Sequence, residues 1–508
     1  MPNSPQRATT LIELIAPGAG AAPALFAPGT SALTYGGLRD LVARTRASLN
    51  AHGIGRNDRV AIVLPNGPEM ATAFIAVASA ATAAPLNPSY RSDEFKFYLE
   101  DLHARALVVE AGSSSPAVEV ARELGIMVLT LQPEAAQGAG AFTLAGEGQG
   151  PCTAGPAEAD DIALILHTSG TTSRPKIVPL SQRNISVSAG NIAATLAFGA
   201  HDCGLNIMPL FHIHGLMAGV LAPLSAGGKV FCTPGFNALR FFAWMSEAKP
   251  TWYTAVPTMH QAILARAAGH RDIIAQHPLR FMRSSSSSMP PQVIAEMEAT
   301  FGAPLIEAYG MTEAAHQMVS NPLQGKRIPG SVGLAAGPEV ALMNDEGVLL
   351  GPGETGEIVI RGANVTAGYE ANPQANASAF TKGWFRTGDQ GTIDAEGYIS
   401  LTGRLKEIIN RGGEKISPRE VDEVLMDHPS VRQAVVFGVK HDKLGEDVAA
   451  VIVLREGTSA TETDIRQFVS ARLAPYKVPR KVLFMEQIPL GATGKLQRIG
   501  LAAKLGLE

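Results

Sequence analysis

The sequence predicts an α/β protein with a large N-terminal unit of mixed and mostly parallel sheets, flanking helices, and a small α+β unit at its C-terminal end. Three observations predict it. The chain has 508 residues, more than one hydrophobic core usually serves, so roughly two to four units are expected. β-rich runs alternate with helical ones from early in the chain, the pattern of parallel sheets covered on both faces. The charge balance also changes near residue 403. Arg404–Glu508 carries 17 Lys+Arg against 14 Asp+Glu, which leaves 25 against 32 of the chain's totals of 42 and 46.

The elements follow in order. Arg59–Leu64 is a short β-rich run closed by Pro65-Asn66-Gly67-Pro68, a turn and helix entry. Met70–Ala84 is Ala-rich and too short and weakly apolar for a membrane span, so it reads as a buried helix. Ala106–Glu110 and Met127–Leu131 are strands at βαβ spacing, and residues 134–160, rich in Gly, Ala and acids, read as a surface connection. Ile162–Leu166 is the next buried strand. In the last unit Val421–Met426 and Asp464–Leu473 read as helices, and Ala434–Val439 and Ala449–Leu454 as strands. No internal repeat is visible.

Composition narrows the class. Hydrophobic residues at 46% and charged residues at 17%, with net charge −4, exclude a disordered polyelectrolyte and argue against a nucleic-acid binder. Cys152, Cys203 and Cys232 have no paired spacing, which fits a reducing compartment better than a disulfide framework or zinc site. The N-terminal stretch has no apolar run of signal-peptide length, and the chain ends Gly506-Leu507-Glu508, which is no peroxisomal address. The expectation is a cytoplasmic protein with no membrane partner; monomer and homodimer both stay open.

Five segments carry chemistry. His167-Thr-Ser-Gly-Thr-Thr-Ser-Arg-Pro-Lys176 follows the Ile162–Leu166 strand. Small hydroxyl residues and a glycine leave backbone N–H groups free to surround phosphate oxygens, and Lys176 adds a charge. The loop lacks the Gly-Lys-Ser/Thr ending of a Walker A motif. Tyr309-Gly-Met-Thr-Glu313 offers an aromatic face, a hydroxyl and a carboxylate, and Trp384-Phe-Arg-Thr-Gly-Asp389 ends in an acid suited to ribose hydroxyls. The fourth segment, Gly403–Lys415, spans the change in charge balance, and Gly494-Lys495 lies near the C-terminus.

Together, in this order, these segments resemble the adenylate-forming superfamily of acyl-CoA synthetases, adenylation domains and luciferases. The resemblance implies an N-terminal AMP-binding domain over residues 1–403, a hinge at 404–406 around Lys406, and a small mobile domain over 407–508. It implies a carboxylate activated by ATP, with magnesium, to an acyl-adenylate that the thiol of CoA then attacks. It further implies that Thr168, Ser169, Gly170, Thr171, Thr172 and Lys176 form the triphosphate loop, with Tyr309 and Gly310 beside adenine. Thr312 would contact the α-phosphate, Glu313 magnesium, and Asp389 and Arg404 the ribose. Lys495 would bridge the substrate carboxylate and the α-phosphate. Arg411, Gly412 and Gly413 would face the pantetheine arm after rotation about Lys406, the glycines letting it pass close to the backbone. One departure is visible: Ile177 replaces the superfamily's usual glycine, so the backbone there should be extended.

Two further stretches point to a polar acyl pocket. Phe211-His-Ile-His-Gly215 places His212 where the superfamily carries a gating residue and adds His214. Arg283-Ser-Ser-Ser-Ser-Ser288 carries hydroxyls where aromatic and fatty acyl ligases are Gly/Ala-rich. Buried hydroxyls need partners, which an anionic substrate supplies. Ser286, His214 and His316 are the expected acid-facing groups. Within the superfamily the Thr168–Lys176 loop, Phe211–Gly215, Glu307–His316 and Asn410–Pro418 are most similar to oxalate–CoA ligases, which implies oxalate, ATP and CoA as substrates. A ligase for malonate or a coumarate-like acid, an adenylation enzyme loading a carrier protein, and a non-catalytic nucleotide-binding protein stand as alternatives.

Overall fold

The computed structural model describes residues 8–148, 150–168, 175–489 and 498–507. Among these, four sheets form, two large ones in the N-terminal part, one between it and the last unit, and one in the last unit.

The first sheet runs Phe142–Ala145, Met127–Pro133, Ala106–Glu110, Arg59–Val63, Thr82–Pro85, Ile162–Thr168, Lys176–Ser181. Its centre is parallel and its two edge pairings are antiparallel. The second has a parallel core of Leu305–Met311, Phe281–Ser284, Trp252–Ala255, Cys203–Asn206, Lys229–Cys232 and Pro23–Phe26. Antiparallel strands His316–Ser320 and Leu33–Thr34 flank it. These strands are buried on both faces, so they read as apolar runs without alternation. Trp252, Phe281 and Ile306 face one core, while Tyr253, Met282 and Leu305 face another.

The helices between the sheets have sequence reasons. Gln182–Thr195 starts at Ser181, whose hydroxyl accepts from Asn184 N–H while the Asn184 side chain reaches back, a capping box. Gly215–Leu221 is a wholly buried π-helical stretch. A Cβ on Gly215 would lie 2.2 Å from the Pro209 carbonyl oxygen, so glycine is what lets this stretch begin so close to the preceding backbone.

Two expectations need correction. The Met70–Ala84 helix spans Pro68–Ala78 instead, and Thr82–Pro85 is a buried strand paired with Arg59–Val63. Pro85 disfavours a helical Ala84, and alanines serve either state when everything is buried. Residues 134–160 are not all surface connection, because Phe142–Ala145 pairs with Met127–Pro133 and buries Phe142.

Trp384–Ile393 and Ile399–Arg404 form a hairpin that brings Asp389 opposite Arg404. Beyond it, Ile409–Arg411, Glu414–Ile416, Val431–His441, Gly445–Leu454 and Lys481–Phe484 make the last sheet. Helices Pro418–Met426 and Glu462–Ser470 cover it, and the unit has its own apolar core around Val436 and Ile452. Among the described residues no helix is long and apolar enough to cross a membrane.

Candidate active site

The site residues gather at the C-terminal ends of the parallel strands of the second sheet, where α/β sheets usually bind ligands. Leu305–Met311 carries Tyr309 on its last turn of strand, and the 3₁₀ turn Thr312–Ala314 folds the chain back into His316–Ser320. Gly310 allows that return, since a Cβ there would lie 1.6 Å from the His316 carbonyl oxygen. One hairpin therefore carries Tyr309, Thr312, Glu313 and His316.

At one end of the site Tyr309 Oη donates to Asp389 Oδ2 at 2.5 Å, and Arg404 Nε donates to Asp389 Oδ1 at 2.9 Å. Glu313 is buried and accepts a hydrogen bond from Tyr369 Oη at 2.8 Å on Oε1. Burial raises its pKa, opposed by the Tyr369 hydroxyl and by the Lys176 and Arg404 charges. Lys176 Nζ lies 4.2 Å from the centroid of the Tyr369 ring. Burial lowers the Lys176 pKa; Glu313 opposes this and the Lys406 charge adds to it, so Lys176 and Lys406 feel each other. Lys176 begins the strand opposite Thr168. Ile177 is extended in that strand, with its side chain buried and its carbonyl accepting from Glu370 N–H at 3.1 Å.

The other end is a polar cluster in an otherwise apolar layer. His214 Nδ1 lies 3.1 Å from Ser286 Oγ, and His214 Nε2 lies 2.6 Å from Thr254 Oγ1. The His214 and His316 rings stack with centroids 4.8 Å apart and planes 20° apart. Both histidines are 2% exposed, whereas Ser286 is open to solvent. Arg283 is 0% exposed, with Nη1 at 3.1 Å from His316 Nε2 and 3.4 Å from His214 Nε2, and Nη2 donating to Gln317 Oε1 at 3.2 Å. Ser286 and His316 both hold left-handed backbone, φ +73° and +95°, strain of the kind that collects at functional sites.

Comparison with known proteins now bears on this arrangement. The AMP-binding enzyme family matches residues 15–370, and the AMP-binding enzyme C-terminal domain matches residues 420–495. The chain belongs to the AMP-binding enzymes. An oxalate–CoA ligase of Arabidopsis thaliana is 46% identical to this AMP-binding enzyme over 94% of each chain. An oxalate–CoA ligase of Saccharomyces cerevisiae is 41% identical over 87% of this chain and 86% of its own. Among solved structures, ATP-bound MatB from Rhodopseudomonas palustris superposes with a TM-score of 0.88 at 28% identity, covering 98% of this chain and 99% of its own.

Of the residues expected in this AMP-binding enzyme's site, Thr168, Lys176, Tyr309, Gly310, Thr312, Glu313, Asp389 and Arg404 lie around the first cluster, and His214, Ser286 and His316 meet in the second. His316 begins a buried strand. His212 packs on the Phe211 ring with centroids 4.5 Å apart. Ser169, Gly170, Thr171, Thr172 and Lys495 lie outside the described residues. Arg411 Nε donates to Asp447 Oδ1 at 2.6 Å, and Gly412 and Gly413 both have positive φ, which the tight Arg411–Glu414 hairpin demands in its own right.

Four contributors were not expected: Arg283, Thr254, Gln317 and Tyr369. Arg283 carries no clear signal, because it follows Phe281-Met282 at a strand end before five serines. The others carry none, since a lone Thr, Gln or Tyr in a strand or loop is ordinary.

Proposed function

We propose that this chain is an oxalate–CoA ligase, converting oxalate, ATP and CoA to oxalyl-CoA, AMP and pyrophosphate. The observation that carries the reading is the acyl end itself: His214, Ser286 and His316 converge where an alkyl-binding site would be apolar. The names of two relatives more than 40% identical point to the same acid.

In the first half-reaction an oxalate oxygen attacks the α-phosphorus, the bond to the β-phosphate bridging oxygen breaks, and pyrophosphate leaves. Charge grows on the phosphates, so fixed cations matter most. Lys176, with the hydroxyls and backbone of Thr168 to Thr172, would hold the β- and γ-phosphates. Thr312 would contact the α-phosphate, and Tyr309, Gly310, Asp389 and Arg404 would hold the nucleoside. Lys495 would bridge oxalate and the α-phosphate.

Among the described residues no group of three or more His, Cys, Asp or Glu side chains forms a protein metal cage. Magnesium fits nonetheless, because it is commonly held by one carboxylate together with phosphate oxygens and water, and Glu313 is a buried carboxylate beside Lys176. When bound it would neutralise phosphate charge. In the second half-reaction the CoA sulfur attacks the acyl carbon and AMP leaves with its phosphate oxygen. Rotation about Lys406 would bring Arg411, Gly412 and Gly413 to the thiol's approach, with His212 near the mouth.

ATP–pyrophosphate exchange across oxalate, malonate, acetate and coumarate tests the reading. Oxalate is expected to give the highest kcat/KM, with oxalyl-CoA formed when CoA is added. Malonate or coumarate outranking oxalate overturns it, and turnover only with a carrier protein would favour the adenylation-enzyme alternative.

A further inference from the structure

Arg283 is a fully buried cation with no carboxylate paired to it among the described residues. Buried arginines are ordinarily paired, because an uncompensated charge in a low-dielectric interior is costly. Here the guanidinium is given only neutral partners: the ring nitrogens of His214 and His316 and the Gln317 amide oxygen. Its Nε finds no partner within the described residues. The backbone is pinned as well, since His260 Nε2 lies 3.1 Å from the Arg283 carbonyl oxygen and Tyr253 Oη 3.0 Å from His260 Nδ1.

A guanidinium has N–H donors and no acceptor. An Nε2 atom facing Nη1 accepts, with His214 Nε2 sharing its one lone pair between Nη1 at 3.4 Å and the Thr254 hydroxyl at 2.6 Å, so the proton of each ring is assigned to Nδ1 and both rings are neutral. The Thr254 hydroxyl then donates to His214 Nε2, and His214 Nδ1–H donates to Ser286 Oγ, the hydroxyl that opens to solvent. Two imidazolium ions stacked 4.8 Å apart beside a guanidinium would put three like charges in one dry layer. One positive charge behind two neutral rings is the arrangement that the contacts permit. Burial lowers the Arg283 pKa to about 9, which still leaves the side chain charged at neutral pH.

We infer that Arg283 is the specificity-determining positioning residue of the acyl pocket: it fixes His214 and His316 as neutral Nδ1–H donors and supplies the unpaired charge that selects a dianionic acid over a monoanion of the same size. The inference rests on the oxalate reading and adds to it the reason for dianion selection. Arg283 acts through the two rings, whichever atoms the acid touches.

The test compares kcat/KM for oxalate and glyoxylate, with the KM for ATP as control, in the full-length enzyme. Arg283→Met is expected to lower the oxalate-to-glyoxylate preference roughly a hundred-fold while the KM for ATP stays within about two-fold. Arg283→Lys keeps the charge and loses the fork, so it should recover a large part of that preference. A preference unchanged in Arg283→Met overturns the role. Should that variant fold poorly, ¹⁵N-histidine spectra of the wild-type enzyme decide, with His214→Asn and His316→Asn for assignment. Both rings should be neutral and protonated on Nδ1, and a proton on Nε2 of either ring overturns the inference. Wild-type enzyme that does not prefer oxalate to glyoxylate overturns the oxalate reading instead.

Discussion

Ser286 holds φ +73°, a conformation that glycine adopts freely and serine only at a cost of about 1–2 kcal/mol. Its hydroxyl faces His214 Nδ1 at 3.1 Å and is open to solvent, so the strain is tolerated where a hydroxyl is wanted. Ser286→Gly and Ser286→Ala separate the two demands. Both lose the hydroxyl, and both should raise the KM for oxalate about 10-fold or more, the worth of a hydrogen bond to a charged group, with the KM for ATP unmoved. Only the glycine relieves the strain, so it should melt at or above the alanine variant. Equal rises in both KM values would remove Ser286 from the acid's surroundings. The polar residues of the candidate pocket stand out in the sequence as a run of serines and two closely spaced histidines, and the structure brings His214, Ser286 and His316 together. Arg283 does not stand out, because a basic residue three positions after Arg280 near a strand end reads as an exposed one. Its burial is decided by Trp252–Ala255 and Leu305–Met311, which close over it from distant parts of the chain.

The Leu305–Met311 strand and its return through His316–Ser320 join the two ends of the site, and its outer residue Glu307 reports on how tightly it is enclosed. Glu307 is buried, and among the described residues its carboxyl accepts only from the Met289 N–H, at 3.4 Å on Oε1. Burial pushes its carboxyl up to about 7, against the Met289 amide and the Arg419 charge and with the Glu423 charge adding to the rise. The folded state thus holds this proton more tightly than the unfolded chain does. Its contribution to stability is full below about 4.5 and is lost as pH rises through about 7, at most about 3 kcal/mol. Glu307→Gln should flatten that loss and make the protein more stable than wild type at pH 8, read from urea midpoints at pH 5 and pH 8. An equal loss in both proteins would mean that Glu307 titrates normally. Strands bounded by turn residues, such as Arg59–Val63 and Ala106–Glu110, were legible from their own composition. The boundary inside the Ala-rich run Met70–Ala84 was not, because a fully buried helix and a fully buried strand ask for the same small apolar residues, and the pairing of Thr82–Pro85 with Arg59–Val63 decides between them.

At the scale of the molecule, the change in charge balance near residue 403 falls at the end of the Ile399–Arg404 strand, before a unit with a core of its own. The tail of that unit is held by the packing of Leu501 against Val435 and Phe437 and by an ion-pair clasp that the sequence did not advertise. Arg498 Nη1 donates to Glu407 Oε2 at 3.0 Å and its Nη2 pairs with Asp422. Glu407 follows Lys406, the proposed hinge residue, and Asp422 lies on the helix Pro418–Met426 and also accepts from Val436 N–H at 2.6 Å. One guanidinium thus ties the chain just after the proposed adenylation lysine to the proposed hinge and to the helix covering the last sheet. Burial raises the Asp422 carboxyl to about 6 even with Arg498 beside it, so removing the arginine leaves two enclosed carboxylates repelling each other. Arg498→Met should destabilise the C-terminal unit by about 3 kcal/mol, as breaking a buried pair usually does. The larger N-terminal cores do not contain these residues and should melt as before. Calorimetry should therefore show a separate early transition in the variant, and adding Asp422→Asn should return part of the loss by removing the stranded charge. A single transition displaced as a whole would show instead that the two units unfold together and that the clasp serves the entire molecule.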